Sequence, residues 1–380
     1  MTAPDSAIVV GAGITGCTIA RVLAHAGTKV EVLDCRDQIG GLCADHTDPH
    51  GNMVQDYGPH FFHTNDLGVV DFLNQFCGAW SLYHHRVKAR AAGQLYQFPV
   101  NDDTCCALGT PNVSNEVDPT GLDAQTYLDQ KIGPLLTAYF FSGYSQKQWG
   151  VPLREIPAWV VARVNPRRDR NPDYFLDTFQ GVPKAGFSIM LLEMLNHDNI
   201  SLDLGCKPIH VRSFDRTDRP LVYTGSLDHF FDYSTQCRIG TLLYRHTEFR
   251  FVNIPGANPL PATCINECDL DTPHTRLTDN HQMYHRPAGS FEPDSRTFTL
   301  ERSVCTAPGN PSDEGTVACY PIPWDEGAKE RHAAYLRLAQ ELPYLYVAGR
   351  LADYKYYNMD QAVRRGLDVA SLILRGERQC

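Results

Sequence analysis

No C-x-x-C pair and no H-E-x-x-H pair occurs in the chain, although it carries 13 cysteines and 15 histidines. Cys105-Cys106 and Cys264/Cys268 lack zinc-ligand spacing, so no metal is expected. The odd, scattered cysteines argue against a disulfide framework. They read as reduced thiols used as small apolar residues in a cytoplasmic protein. No run of about 18 apolar residues is present to span a bilayer. Met1 to Ser6 leads straight into an apolar strand, so no signal peptide is expected. Positive charge is in deficit: 34 Lys plus Arg against 44 Asp plus Glu give a net charge of −10. Nonspecific nucleic-acid binding is then unfavourable, and neither nucleic acid nor a membrane is an expected partner. An acidic chain still binds anions where it gathers arginines locally. Internal repeats and low-complexity tracts are absent as well. What is there, 380 residues with 43% hydrophobic and 21% charged, is the composition of a globular protein. It is enough for two or three domains and a large core.

The densest signal lies near the N-terminus, in AIVVGAGITGCTIARVLAHAGTKVEVLDCRDQIGGLCA, Ala7 to Ala44. Ala7 to Val10 is a short β-branched run suited to a buried parallel strand. Gly11, Gly13 and Gly16 follow in the order G-x-G-x-x-G. In this pattern the first permits a tight turn, the second lets a pyrophosphate approach, and the third lets helix and strand pack closely. The expected helix, Ile14 to Ala26, has no acid in its first turn and leaves its N-terminal N–H groups free for an anion. Gly27 stops it. Lys29 to Leu33 reads as the second strand. Asp34 follows it, roughly 20 residues past the glycines, where a carboxylate accepts hydrogen bonds from an adenosine ribose. A glycine turn without a ligand leaves Asp34 unexplained. The spacer and the Gly40-Gly41 pair resemble the FAD-binding fold of amine oxidases and related flavoenzymes rather than a nicotinamide dehydrogenase.

Farther along, Gly51 to Asp66 is irregular and rich in Gly, His and aromatics. Leu67 to Cys77 reads as helix and Val87 to Val100 as strands. Asn101 to Pro119 reads as a loop. Thr126 to Trp149 is largely helical with a break near Gly143, and Pro152 to Val164 is a short helical segment. Asn165 to Asp173, NPRRDRNPD, has two prolines, three arginines and no apolar residue, and reads as a mobile charged loop. Phe187 to Asn196 is helical, and Ile200 to Leu204 and Leu221 to Gly225 are strands. Leu242 to Thr306 alternates as β. Arg331 to Gln340 is helical, Leu345 to Gly349 is a strand, and Met359 to Arg375 is the final helix. The expected fold is α/β, with a discontinuous Rossmann-like FAD-binding domain (1–82, 201–230 and 320–380). A helical domain (101–164, with the loop 165–173) and an antiparallel sheet domain for substrate (83–100, 174–200 and 231–319) fill the gaps.

Several stretches together resemble the UDP-galactopyranose mutase family. They are GAGITG, YGPHFFHTND (Tyr57 to Asp66), GYSQKQWG (Gly143 to Gly150), FQGVPKAGF (Phe179 to Phe187), YTGSLDHFFDY (Tyr223 to Tyr233), DTPHTR (Asp271 to Arg276) and GRLADYKYYNMDQA (Gly349 to Ala362). They run in the family's order over nearly the whole chain. The resemblance implies an isomerase that interconverts pyranose and furanose forms of a nucleotide-diphosphate sugar, most directly UDP-galactopyranose. Reduced flavin N5 attacks the anomeric carbon in that chemistry, with no net redox. An external reductant such as NAD(P)H and a homodimer are the further expectations.

The same resemblance assigns residues. Arg167 and Arg276 match two substrate-phosphate arginines, a role that suits the bidentate, permanently charged guanidinium. Tyr144, Trp149, Tyr320 and Tyr356 match aromatics that stack on uracil or donate to phosphate. Phe140 and Phe141 are open between walling the uracil and core packing. His63 matches a histidine against the flavin ring, with His60 as the alternative in the same motif. Thr224, Arg350 and Met359 join Gly11, Gly13, Gly16, Asp34, Gly40, Gly41 and His60 around the cofactor. Three positions depart from the family: Asn358 stands where it has an acid, Phe179 where many members have a phosphate-contacting tyrosine, and Asp34 where glutamate is usual. Ser234 to Gly240 reads as a small insertion. The alternatives are the same reaction on a UDP-arabinose, UDP-N-acetylgalactosamine or dTDP-fucose, an amine-oxidase-type flavin oxidoreductase, and a silent flavoprotein.

Overall fold

A computed structural model describes residues 3–114, 116–164, 166–214, 218–231, 233–284, 295–305 and 315–379. Asn165, at the start of the expected charged loop, and the stretches 285–294 and 306–314, in or beside the expected β region, lie outside the described residues.

Five parallel strands form the first sheet, in the order Ile200–Leu204, Lys29–Asp34, Ser6–Val10, Leu221–Tyr223, Leu345–Val347. Ser6–Val10 is central, with Ile8 opposite Glu31 on one side and Leu221 on the other. Its apolar run serves two cores, because successive side chains alternate between the faces of a strand. Ala7 and Val9 pack with Ile19, Leu23, Val363 and Val369 from the helices Ile14–His25 and Met359–Leu374. Ile8 and Val10 pack with Leu227, Phe230 and Tyr335 on the opposite face. The discontinuous use of the chain follows: strands from the N-terminus, the middle and the C-terminus complete one sheet.

The second sheet has seven strands, in the order Thr316–Pro321, Tyr244–Pro255, Ser295–Cys305, Arg276–Asp279, Cys264–Glu267, Val87–Ala91, Gln94–Phe98. It is antiparallel except where Cys264–Glu267 runs parallel to Val87–Ala91. Helices from Ala124 to Ala162 cover part of it, burying Leu128, Leu136, Phe140 and Phe141 against Val87, Ala89, Phe98 and Cys264. No helix among the described residues is long and apolar enough to cross a membrane.

Several local expectations change. Asn101 to Leu108 is not loop: Asn101 caps a helix, Asp102–Leu108, through a capping box with Thr104. The break in the next helical run falls at Gly133-Pro134, while the chain passes Gly143 helically by way of a π turn at Ala138–Ser142. Ser234 to Gly240 lies largely in a helix, Tyr233–Ile239. Residues 179–195 do not join the seven-stranded sheet. Phe179–Pro183 pairs with Phe62–Thr64 and Trp80–Leu82. Helix Phe187–Leu195 buries Phe187, Met190, Leu191 and Met194 in the core of the parallel sheet. That helix is apolar on most of its surface, and this core is where it finds cover.

The charged loop has polar partners in the body of the protein. It lies against the body through Asp102 N–H to Asp169 O (2.9 Å), Gln97 Nε2 to Pro172 O (2.9 Å) and Asn101 Nδ2 to Asn171 O (3.3 Å). Arg170 pairs with Asp103 at 2.7 Å. Hydrogen bonds and ion pairs do here what apolar side chains do elsewhere.

Candidate active site

The glycine fingerprint and the Gly-Gly pair meet at the mouth of a cavity of about 1010 Å³. It is lined by Gly11, Gly13, Gly16, Asp34, Gly40, Gly41, His60, Thr224, Arg350 and Met359. Close approach explains the glycines. A Cβ on Gly16 would lie 1.9 Å from Gly11 O, and one on Gly41 would lie 2.9 Å from Gly13 Cα. The helix that begins at Ile14 has no side-chain cap and no acid in its first turn, so its N–H groups face the cavity free to meet an anion. Asp34 is buried at the end of its strand and accepts Ala12 N–H at 2.7 Å and Arg36 N–H at 2.9 Å. A carboxylate so held presents its remaining lone pairs in a fixed direction. Thr224 Oγ1 donates to Val10 O at 2.9 Å. This cradle fits a dinucleotide: small residues where the backbone must be approached, an unsatisfied helix N-terminus and a fixed acid.

Of the two histidines, His60 lines this cavity. Its Nδ1 lies 2.9 Å from Gly58 O. Burial, with Arg350 and Arg276 nearby, pushes its pKa down to about 4, so the ring is neutral. His63 is engaged elsewhere: Nδ1 is 2.7 Å from Asp177 Oδ2 and the ring stacks on Phe175 with centroids 3.6 Å apart.

Beyond His60 and Arg350 a second space opens, a void of only about 10 Å³ bounded also by Arg245, Arg276, Glu301 and Tyr320. Tyr320 and Tyr356 stack with centroids 4.5 Å apart. Guanidinium groups surround them: Arg163 lies 3.4 Å over Tyr356, and Arg245 and Arg350 lie 4.1 and 4.7 Å over Tyr320. Each such contact is a cation–π attraction. Arg350 is fixed by Tyr357 O, to which Nε and Nη2 donate at 3.1 and 2.6 Å. Arg245 is buried, donates to Gln148 Oε1 and leaves its Nε without a hydrogen bond. Burial would raise the Tyr356 phenol, but Arg163, Arg245, Arg350 and Arg276 together bring its pKa below the usual value. None of Arg163, Arg245 and Arg350 pairs with a carboxylate among the described residues, which leaves the cluster positive and able to attract an anion.

Arg276 reaches this cluster from the start of its strand. Its Nε and Nη2 grip Glu301 at 2.7 and 2.8 Å. Burial would lower its pKa, yet the Glu301 carboxylate holds the guanidinium charged. Tyr144 Oη accepts from Gln148 Nε2 at 2.9 Å, and burial pushes its pKa up to about 12. Trp149 sits under Arg245 at 4.7 Å and edge-on to Trp324. Asn358 accepts from Arg163 Nη2 at 2.7 Å and caps the final helix.

Four residues expected at the substrate site stand apart. Phe140 and Phe141 are core residues, 0% and 4% exposed, packed against Tyr96 and Phe98. Phe179 packs against Phe62 and Trp80 in the three-stranded sheet. Arg167 is turned inward, donating to Asn171 O and Asp173 O at 3.1 and 2.5 Å, and no described contact links it to the tyrosine cluster. Sequence reasoning missed Arg163, Arg245, Gln148 and Glu301. Arg245 carried a signal, a charged side chain inside an alternating strand pattern; Arg163 followed an apolar helix and carried none.

Residues 139–356 match a family model described as UDP-galactopyranose mutase, and residues 9–76 one described as an NAD(P)-binding Rossmann-like domain. A probable UDP-galactopyranose mutase of Klebsiella pneumoniae is 34% identical over 97% of this chain and 94% of its own. A dTDP-fucopyranose mutase of Escherichia coli is 31% identical over 99% of this chain and 100% of its own. Among solved structures, a reduced UDP-galactopyranose mutase shares the fold with a TM-score of 0.72 at 18% identity, over 98% of this chain and 94% of that one.

Proposed function

The chain belongs to the UDP-galactopyranose mutase family, and from that premise we propose that it isomerises a nucleotide-diphosphate sugar between pyranose and furanose forms, taking UDP-galactopyranose to UDP-galactofuranose with FAD as cofactor. The observation that carries this reading is a juxtaposition. Arg350 and His60 line both the dinucleotide cavity and the small space among Arg245, Arg276 and Tyr320. A second diphosphate held by those arginines would therefore present its sugar toward the cofactor.

The cradle from Gly11 to Gly41, with Asp34, Thr224 and Met359, would hold FAD. Reduced FAD, when bound, supplies an electron-rich nitrogen nucleophile for the anomeric carbon and ends in the redox state in which it began. The chain's own residues bind, orient and neutralise. Arg276, with Nη1 left over from its pair with Glu301, and Arg350 stabilise the diphosphate as it departs and keep it near for its return. Each charge-assisted contact contributes roughly 1.5–3 kcal/mol. Tyr356 donates its hydroxyl to the phosphate. Tyr144 and Trp149 take the base. His60, already beside the cavity, is favoured over His63 as the cofactor's neighbour. Arg167 adds to the phosphate site only after its loop leaves the contacts described above. The arginine cluster encloses little space, so substrate entry requires these side chains to part.

A second reading keeps the reaction and changes the sugar. Asn358 gives its oxygen to Arg163 and leaves that corner without a carboxylate, which suits a 6-deoxy sugar such as dTDP-fucopyranose. The test is to incubate dithionite-reduced protein with UDP-galactopyranose and dTDP-fucopyranose separately and resolve pyranose from furanose products. Catalytic furanose formation is expected after reduction and none with oxidised protein. NAD(P)H should replace dithionite as the external reductant. Steady acceptor consumption with an amine, and no furanose from either sugar, would establish the oxidase alternative instead.

A further inference from the structure

Within GYSQKQWG, Tyr144, Gln148 and Trp149 join the aromatic–arginine cluster, and Lys147 does something different. Its ammonium donates to four backbone carbonyls: Glu267 O and Asp269 O at 2.7 Å, and Thr272 O and His274 O at 2.9 Å. An ammonium has three protons, so four oxygens at these distances converge on it as they would on a bare cation. Glu267 ends strand Cys264–Glu267, and the other three lie in the turn that joins it to strand Arg276–Asp279.

The same helix, Gly143–Trp149, approaches this turn once more. A Cβ on Gly143 would lie 2.3 Å from Cys268 O, so glycine is what lets the helix backbone come so near. The far end of the turn is tied to the active site. Thr275 donates to Glu301 O through its N–H at 2.8 Å and through Oγ1 at 3.2 Å. The next residue is Arg276, held by the Glu301 carboxylate. Lys147, the turn, Arg276 and Glu301 thus form one continuous set of polar contacts.

We propose that Lys147 is a positioning residue that sets Arg276 through the 267–275 turn, and that the four carbonyls it fills form a site for a dehydrated monovalent cation, open to ammonium or potassium once the side chain is removed. The first part rests on the reading of Arg276 as a diphosphate ligand; the second does not. Carbonyl oxygens replace the hydration shell of potassium in channel filters. Small, strongly hydrated lithium would compete poorly for such a cage, and tetramethylammonium has no N–H to donate.

The experiment compares the Lys147→Ala and Lys147→Met holoenzymes with the parent protein in lithium, potassium, ammonium and tetramethylammonium chlorides at equal ionic strength. Turnover and melting temperature are read in parallel. Lys147→Ala should lose about tenfold in kcat/KM in lithium, mainly through KM, because a ligand displaced by a fraction of an ångström binds less well. Ammonium and potassium should restore several-fold of that loss and raise its melting temperature, without doing so for the parent. Lys147→Met fills the cage with an apolar chain and should stay impaired in every salt. Parent-like activity of Lys147→Ala in lithium would overturn the positioning role. Equal melting in all four salts would overturn the cation site. Loss of FAD from both variants in every salt would make Lys147 a general folding residue and overturn the proposal. The melting readout needs no substrate, so absence of mutase turnover in the parent would count against the proposed function and leave the cation site to stand or fall by itself.

Discussion

Glu301 grips Arg276 by two parallel hydrogen bonds, Nε to Oε1 at 2.7 Å and Nη2 to Oε2 at 2.8 Å, between residues paired on neighbouring antiparallel strands. The carboxylate is buried, and the Arg276 side chain is 24% exposed. Removing one member leaves an uncompensated charge, which costs on the order of 3 kcal/mol; replacing both by apolar residues costs much less. Glu301→Ala should therefore lower unfolding free energy by about 3 kcal/mol in urea melts, and the double variant Arg276→Met/Glu301→Leu should recover most of it. Equal stability of Glu301→Ala and the parent would mean that the pair is solvated. Activity separates the roles: Glu301→Gln should keep some turnover, and every Arg276 variant should lose one to two orders of magnitude in kcat/KM.

The cofactor cradle gives a simpler test. A Cβ on Gly13 would meet Gly41 Cα at 3.7 Å, ordinary contact, so alanine fits. The branched carbons of valine would project into the space reserved for the pyrophosphate. Gly13→Val should purify folded but colourless, and Gly13→Ala should retain part of its FAD. Full flavin absorbance in Gly13→Val would place the pyrophosphate elsewhere.

How far the site could be read in advance depended on the distance over which each role is set. Gly11, Gly16, Asp34 and Gly41 were legible because their partners lie within about 30 residues of one another, in a strand–turn–helix unit whose geometry is stereotyped. The parallel sheet and the long antiparallel strands followed from apolar runs and alternation. Phe140 and Phe141 were ambiguous because an aromatic is core or wall according to which strand covers it, here Val87–Ala91 and Gln94–Phe98. Glu301 stayed hidden because its importance comes from Arg276, 25 positions away on another strand. The contacts of the charged loop were not legible for a related reason: its partners Gln97, Asn101 and Asp103 come from a segment some 70 residues earlier. A pattern without apolar residues does not show whether hydrogen bonds will replace them.

Two histidines, the buried His85 and the half-buried His60, make stability depend on pH. Burial, Arg350 and Arg276 push His60 down to about 4. Burial, Arg276 and His63 push His85, which stacks on Phe61, well below its ordinary value. Both titrate near 6.5 once unfolded. Between roughly pH 4 and 6.5 the unfolded chain therefore binds protons that the folded chain refuses, and stability is lost as pH falls through that window. Each histidine contributes a slope of up to about 1.4 kcal/mol per pH unit. Urea melts at intervals from pH 7.5 to 4.5 should show the decline, and His85→Phe, which preserves the stacking, should flatten it. An unchanged slope in that variant would show that His85 takes up its proton while folded.

Arg163 and Arg167 stand four residues apart and make opposite use of their charge. Arg163 lies exposed over the Tyr356 ring and bonded to Asn358, at the edge of the arginine cluster. Arg167 is 7% exposed and donates to carbonyls of its own loop. If Arg167 reaches the diphosphate, the loop must first release Arg167 N–H from Val100 O and Asp102 N–H from Asp169 O, both 2.9 Å bonds. Hydrogen exchange reads these two amides directly. Addition of UDP to the reduced enzyme should lower their protection, and Arg167→Ala should lower it without ligand. Arg163→Ala should leave both amides protected. Arg167→Ala should lose one to two orders of magnitude in kcat/KM, the value of one charge-assisted contact in the transition state. Arg168 is exposed on the same loop, and Arg168→Ala should behave as the parent does. Parent-like turnover in Arg167→Ala, with both amides still protected when UDP is bound, would make Arg167 a strut of the closed loop. The phosphate role would then pass to Arg163, which needs no loop movement to meet a ligand beside Tyr356.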